Sequence, residues 1–466
     1  MPDSGISHQP AAIVIGASAA GLFAAAALAE FAHVTIIERD VLPDGPQTRR
    51  GVPQARHAHL VWSGGVHAFN ELLPGVVDDI VRSGGRLVDI MADMVSRAPN
   101  EVWFRRFTNS QHQNLVCSRP LLDAELRARV LADKRITLRE STTVLSLEGT
   151  AARVTGVRVK AGDDEHTLAA DLVVDASGRG SRAPQWLHAL GLPKVTEREV
   201  DAGVAYATRH YRAPGTTAET DFPLINVQAN PAKAPGQGGI ILPIENGQWI
   251  VTLSGTRGGE PTADPEQFVN FALGLGDPII GELLKNADPI SDVATTRSTA
   301  NHRRYYEKLS RWPDGFTVIG DAIASYNPVY GHGLTVAAQC ALAIREVLRT
   351  TALNAPGTAH RLQKAASRPV AAAWDLAVGQ DALYPGAAGN PPTAVERLLS
   401  RYVDRCVETG ATNTRALNAL LDVMSLSKPA TRLFSLDMLV PMLLGPKRPQ
   451  LSDAPLRDDE RAAATA

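Results

Sequence analysis

From Ala11 to Ala29 the chain carries no charged residue. A membrane-spanning helix needs about 20 apolar residues, so length alone would permit an anchor here. The internal pattern speaks against one. AAIVIG (11–16) is a short β-branched run of the kind that forms a buried parallel strand, whereas GLFAAAALAEF (21–31) is alanine-rich and helix-prone. HVTIIERD (33–40) then reads as a second strand closing on acidic residues. Strand, glycine turn, helix, strand, acid is the order of a βαβ unit. The preceding MPDSGISHQ holds no Lys or Arg, so the basic flank of a secretory signal is missing.

The same two periodicities continue along the chain. HAFNELLPGVVDDIVRSG (67–84) and RPLLDAELRARVLAD (119–133) read as helices, with a strand signal within WFRRFTNSQHQNLVCS (103–118). TTVLSLEGTAARVTGVRVKA (142–161) predicts a hairpin, and DLVVDASGRGS (171–181) a buried strand running into a glycine-rich turn. Between about 200 and 300 the texture turns antiparallel. GVAYATRHYRA (203–213) alternates, and IILPIENGQWIVTLSG (240–255) is two strands joined by Asn246-Gly247, a hairpin dipeptide. At FTVIGDAIASYNPVYGHGLTVAAQCALAIREVL (316–348) the α/β style returns.

These elements predict an α/β protein with a discontinuous, Rossmann-like cofactor domain. Its segments are 1–75, 100–190 and 300–350; 76–99 and 191–299 form an inserted substrate domain on an antiparallel sheet. Residues 351–466 form a helical C-terminal region, either covering the pocket or meeting a second copy, and its tail DDERAAATA (458–466) is expected to be disordered.

Composition changes this picture little. With 466 residues, 44% hydrophobic and 21% charged, the chain is ordinary globular material too long for one core. A net charge of −2 offers no basic footprint for nucleic acid. Three scattered cysteines, Cys117, Cys340 and Cys406, form no metal or disulfide framework, so no metal is expected and a reduced, cytoplasmic location is. The oligomeric state stays open.

Chemistry enters through three glycine motifs, each following an apolar strand. In the first, Gly16 turns the chain, the small Ser18, Ala19 and Ala20 leave backbone N–H groups open to a pyrophosphate, and Gly21 allows close packing. Glu38, with Arg39 beside it, is placed for ribose hydroxyls. The second is Asp175-Ala-Ser177-Gly178. The third is Gly320-Asp321 followed by Asn327-Pro328-Val-Tyr-Gly331-His332-Gly333-Leu334, where a carboxylate can hold a ribityl hydroxyl and a helix N-terminus can face a flavin ring. Any one alone would be an ordinary turn.

These stretches, with RRGVPQARHAHLVWSGG (49–65), CSRPLLD (117–123), DAGVAYATRHYRAP (201–214) and PIENGQWIVTLSGTRGGEP (243–261), resemble the class A flavoprotein monooxygenases of the p-hydroxybenzoate hydroxylase fold. Within them the chain most resembles the actinobacterial flavin epoxidases of polyether-ionophore biosynthesis, an antibiotic pathway of the lasalocid and monensin type. The resemblance implies FAD as cofactor, with Arg119 near its ribityl-phosphate, Arg50, Gly51 and Val52 beside the flavin, Val144 close by, and Pro328 to Leu334 under the ring. It implies epoxidation of a linear polyene polyketide through a flavin C4a-hydroperoxide formed with O₂; delivery of the chain on a carrier protein is left open. Where many relatives have Asp-Gly in the second motif, this chain has Ser177-Gly178. That departure leaves open whether NADPH reduces the flavin directly or a separate flavin reductase supplies it reduced.

The chemistry is borne by the flavin, so no side chain is assigned a catalytic role outright; Arg56, His57 and Tyr330 are the candidates. His57 and His59 suit hydrogen bonding near flavin or substrate, or plain structure, better than a metal. Val204, Tyr206, Ile241, Trp249 and Val251 are candidate pocket residues on the sheet, with Tyr326 and Asn327 near the ring. Two other functions stay in view: a non-redox cyclase of the same fold, in which FAD shapes a pocket for a [4+2] cycloaddition, and an aromatic hydroxylase.

Overall fold

The computed structural model describes residues 10–108, 110–445 and 448–465; the N-terminal segment MPDSGISHQ lies outside them. Its centre is a five-stranded parallel sheet. The strands run in the order Phe316–Val318, Leu172–Asp175, Ala11–Ile15, His33–Ile37, Ile136–Arg139. The first two motifs leave the C-terminal ends of neighbouring strands, and Phe316–Val318 adds the third beside them.

The uncharged N-terminal run resolves into a strand and a buried helix. In helix Ala19–Leu28, Leu22, Phe23, Ala24, Ala25 and Leu28 are fully buried. The helix lies between the sheet and helices Arg119–Leu131 and Gly333–Leu348. It is apolar on every side because it is covered on every side. Among the described residues no helix is long and apolar enough to cross a membrane.

A six-stranded sheet forms the second layer, ordered Ala294–Thr296, Ala205–Arg212, Gln248–Gly255, Gln237–Ile244, Leu224–Val227, Met94–Arg97. Its central hairpin turns at Asn246 and Gly247, both at φ +62, as the Asn-Gly dipeptide predicts. One face is closed by helices Gln267–Leu273 and Ile279–Leu284 over Trp249, Val251 and Ile241.

Several expectations need correction. The 67–84 helix is two, Ser63–Leu72 and Val76–Arg82, broken at Gly75 in the left-handed region. The expected 142–161 hairpin gains a third strand, Asp164–Ala169. Residues 76–99 do not travel together: Val76, Val77 and Ile80 join the large core under the parallel sheet, and only Met94–Arg97 pairs with the six-stranded one. The tail is ordered as helix Asp458–Thr465, because Glu460 forms a buried bidentate ion pair with Arg106 at 2.6–2.7 Å. The C-terminal helices Ala394–Gly410 and Thr414–Met424 fold back over the open face of the six-stranded sheet and roof the space beside it.

Candidate functional site

One cavity of about 1730 Å³ runs from the first glycine turn, past the third, and under the C-terminal roof. That exceeds the roughly 300–1000 Å³ of a single small-ligand pocket, so it has room for a dinucleotide and a substrate together.

At one end the chain leaves its strand at Gly16, φ +100, where an added Cβ would strike Ala176 O at 2.9 Å. Ser18 caps helix Ala19–Leu28 without bonding any helix amide through its side chain; its hydroxyl instead accepts from Arg119 Nη2 at 3.2 Å. The first-turn amides are thereby left to an anion, and Ser18, Ala19 and Ala20 line the cavity. Gly21 does not. A Cβ there would lie 1.8 Å from Gly16 O, so this glycine holds helix against turn. Arg119, only 5% exposed, is aimed by Asp123 at 2.7 Å.

Glu38 also faces the cavity, but with company the motif did not announce. Its carboxylate accepts from Ala17 N at 2.9 Å and from Arg49 Nη1 at 3.1 Å, and Arg49 also donates to Ala17 O. Arg39, Arg50, Gly51, Val52, Arg56 and Val144 line the wall beside it.

Asp175 is corrected from ligand contact to scaffold. Fully buried, it accepts from Ser177 N at 2.9 Å and Ser181 Oγ at 2.5 Å, and burial pushes its carboxyl up. Ser177, Gly178 and Arg179 reach the cavity in its place. Gly320 likewise stays behind the wall; at φ +58 it turns Asp321 inward. No described residue donates a hydrogen bond to the Asp321 carboxylate. Burial raises its pKa, opposed by the Arg119 and Arg179 cations.

The third motif curls under the cavity. Pro328–Tyr330 form a short helical turn, Gly331 is left-handed at φ +67, and helix Gly333–Leu348 starts behind it with Leu334 facing the cavity. His332 is buried and donates through Nε2 to Met424 O at 3.0 Å; burial holds its pKa down at about 4. Trp62 Nε1 donates to Tyr330 O at 2.8 Å. Beneath lies a network invisible in the sequence. Asp381, the last residue of helix Thr358–Asp381, accepts from Tyr330 Oη (2.5 Å), Asn301 Nδ2 (2.6 Å) and Asn327 Nδ2 (3.1 Å), while Tyr206 Oη donates to Asn327 Oδ1 at 2.5 Å. Burial first, then the Asp381 charge, raises the Tyr206 and Tyr330 phenols, which stay protonated.

Of the sheet candidates, Tyr206 lines the cavity together with Tyr326 and Asn327, but Ile241, Trp249 and Val251 point the other way, into the core under helices Gln267–Leu273 and Ile279–Leu284. A strand's period of two explains it: alternate residues take opposite faces. Val204 packs beside Ala202 and Tyr206 outside the cavity lining. His57 is on the wall, its Nδ1 2.8 Å from Thr208 Oγ1; burial, with Arg56 assisting, lowers its pKa to about 4. His59, beside Arg119, is lowered to about 3 by burial first. Both imidazoles are neutral near pH 7. Among the described residues no group of three or more His, Cys, Asp or Glu could hold a metal.

An uncapped helix start, a buried arginine beside it, and two carboxylates facing the cavity suit FAD: a diphosphate at Ser18–Ala20 and Arg119, hydroxyls at Glu38 and Asp321.

Comparison with known proteins agrees. Residues 12–201 match the family described as FAD dependent oxidoreductase. Protein Rv3254 of Mycobacterium tuberculosis (strain ATCC 25618 / H37Rv) is 33% identical over 392 residues, covering 82% of each chain. Among solved structures, the flavin-dependent brominase Bmp2 superposes with a TM-score of 0.65 at 15% identity, covering 93% of this chain and 97% of that one. The p-nitrophenol 4-monooxygenase PnpA from Pseudomonas putida DLL-E4 gives 0.63 at 12% identity, covering 89% and 98%. At those identities the two structures speak for the fold alone.

Proposed function

The chain belongs to the FAD-dependent oxidoreductase family, and from that premise we propose that it is a monooxygenase that inserts one oxygen of O₂ into an alkene of a linear polyene polyketide. The observation that carries this reading is the roof. Beyond the glycine motifs the cavity is covered by Val403, Val407, Leu417, Leu420, Leu421 and Leu433, a wall suited to an extended apolar chain rather than a single ionised ring. Bound FAD would supply the activated oxygen and accept the electrons.

The chain's own residues do the rest. Arg119 and the start of helix Ala19–Leu28 would bind the diphosphate. The Asn327–Gly333 turn, braced by Asp381, would orient the ring against the cavity. The roof helices would keep bulk water away from the bound flavin and substrate. His57, neutral near pH 7 because its pKa is lowered, presents a hydrogen-bonding imidazole to the cavity without adding charge. Electrons would come from NADPH or from a reductase that delivers reduced flavin.

The test has two stages. The visible spectrum of the purified protein is recorded anaerobically before and after NADPH, which separates direct reduction from an external reductase. A polyene substrate is then turned over under ¹⁸O₂. Label in an epoxide supports the proposal; label in a phenol makes the protein an aromatic hydroxylase. Product formed with flavin bound but no O₂ consumed makes it a cyclase.

A further inference from the structure

The floor of the cavity changes character along one sheet face. Where helix Thr414–Met424 sits on it, that face is apolar over four strands: Met94 pairs with Leu224 and Leu242 with Ile250, and the last three pack with Leu417 and Leu420; His210 continues the row on the fifth. Two residues further along each strand, where cavity replaces helix, the next row across the sheet is Ser96, Asn226, Ile240, Thr252, Thr208, in register over five strands. The row after that brings Ser254 beside Tyr206, with Gln228 two residues beyond Asn226. On the opposite face Val95, Ile225, Ile241 and Val251 share one apolar core, with Arg97 and Arg209 at its margins.

A floor meant only for hydrocarbon would stay apolar. Each polar group stripped of water by an apolar ligand costs about 1–3 kcal/mol when left without a partner, and Ser96, Thr252 and Ser254 are already under 10% exposed. The floor's own bonds leave capacity. Asn226 Nδ2 and Gln228 Nε2 both reach only Ser96 Oγ, at 3.4 and 3.5 Å, beyond the usual N–H···O range of about 2.7–3.2 Å. No described residue donates to either amide oxygen. Ser254 Oγ donates weakly to Gly238 O at 3.3 Å and keeps its lone pairs. None of these rows carries a charge, so they do not suit a carboxylate or phosphate. A neutral hydroxyl, which donates and accepts at one atom, satisfies both ends of an amide.

We propose that Asn226, Gln228 and Ser254, on a sheet floor facing an apolar roof, recognise hydroxyl groups along one edge of an otherwise apolar chain. The site selects its substrate by the oxygens already on it and sets which edge of the chain faces the sheet. The inference rests on the reading of this cavity as the substrate site.

The test reads binding without turnover. The flavin-loaded protein is titrated with farnesol and with the hydrocarbon 2,6,10-trimethyldodeca-2,6,10-triene, the same C15 triene with hydrogen in place of the hydroxyl, following the bound flavin's visible spectrum. Farnesol is expected to bind about fivefold tighter, one neutral hydrogen bond's worth. In the Asn226→Leu/Gln228→Leu double variant that preference should vanish, with farnesol falling to the level of the hydrocarbon and the hydrocarbon held or improved. Flavin content and melting temperature check that the variant is folded. Equal affinities on the unmodified protein would overturn the proposal without any variant, as would equal weakening of both probes in the variant. A farnesol preference that is present in the unmodified protein and lost in the variant, while ¹⁸O₂ leaves no label in any product, would keep the floor and sink the monooxygenase reading instead.

Discussion

The phenol of Tyr330 donates to Oδ1 of Asp381 at 2.5 Å, bridging 51 residues of chain. The contact ties the glycine turn of the third motif to the last residue of helix Thr358–Asp381, and both of the acid's oxygens are spent on neutral donors. A buried carboxylate of this kind persists only because its neighbours saturate it.

Asp381→Ala should therefore cost far more than Tyr330→Phe. Removing the acid leaves Asn301 Nδ2, Asn327 Nδ2 and the Tyr330 hydroxyl without their acceptor, a loss of about 3 kcal/mol or more. Removing the phenol oxygen leaves an acceptor that keeps two donors, at about 1 kcal/mol. Urea unfolding of the two variants measures the difference; equal losses would mean that the network is not organised around Asp381.

Gly21→Ala places a Cβ 1.8 Å from Gly16 O, where backbone must move. The expected outcome is protein that fails to accumulate or is purified without flavin. Gly180→Ala is the matched control: nothing lies within 4 Å of its added Cβ, so its stability should stay within about 0.5 kcal/mol of the parent.

Glu460→Ala strands Arg106, whose side chain is 9% exposed, without its bidentate partner. Breaking one side of a buried pair costs about 3–5 kcal/mol, and removing residues 457–466 should cost at least as much. The chemical denaturation midpoint is the measurement, and an unchanged midpoint would show that the tail helix contributes nothing to the fold.

Acid should weaken the protein earlier than its carboxylates alone would require. His57 and His332 are buried and neutral, each with a pKa near 4 against 6.5 for the free side chain. A depressed pKa means that the unfolded chain takes up the proton first. The stability is complete above about pH 6.5 and is lost progressively as pH falls toward 4. Urea midpoints between pH 7.5 and 4.5 should drop along this slope, and His332→Asn, which has no proton to take up, should flatten it.

Much of the cofactor half is legible in the residues themselves. Gly16, Ser18, Glu38 and Asp321 all reach one cavity, because a βαβ crossover puts each turn at the same edge of a parallel sheet; Arg119, which only the family resemblance singled out, reaches it from the start of helix Arg119–Leu131. The half of the cavity against the six-stranded sheet is less so. Tyr206, Ile241, Trp249 and Val251 all sit in strands, yet only Tyr206 faces the cavity. Nothing local distinguishes them, since alternation along a strand marks two faces without saying which one the fold will cover. Asp175 looked like a ligand contact by position and is a brace by hydrogen bonding. Asp381 had no motif around it at all.

By itself, then, the sequence determined what short-range physics controls: the strand–turn–helix unit, the glycine that tolerates no side chain, the Asn-Gly hairpin, the acid after the second strand. These depend on backbone conformation and on neighbours a few residues away. Tertiary structure alone decided which sheet face is floor, which helices form the roof, that Arg106 orders the tail through Glu460, and that Asp381 lies under Tyr330. Those contacts join segments hundreds or dozens of residues apart, and their free energy comes from burial and from saturating buried polar groups. No local pattern records either quantity before the chain has folded.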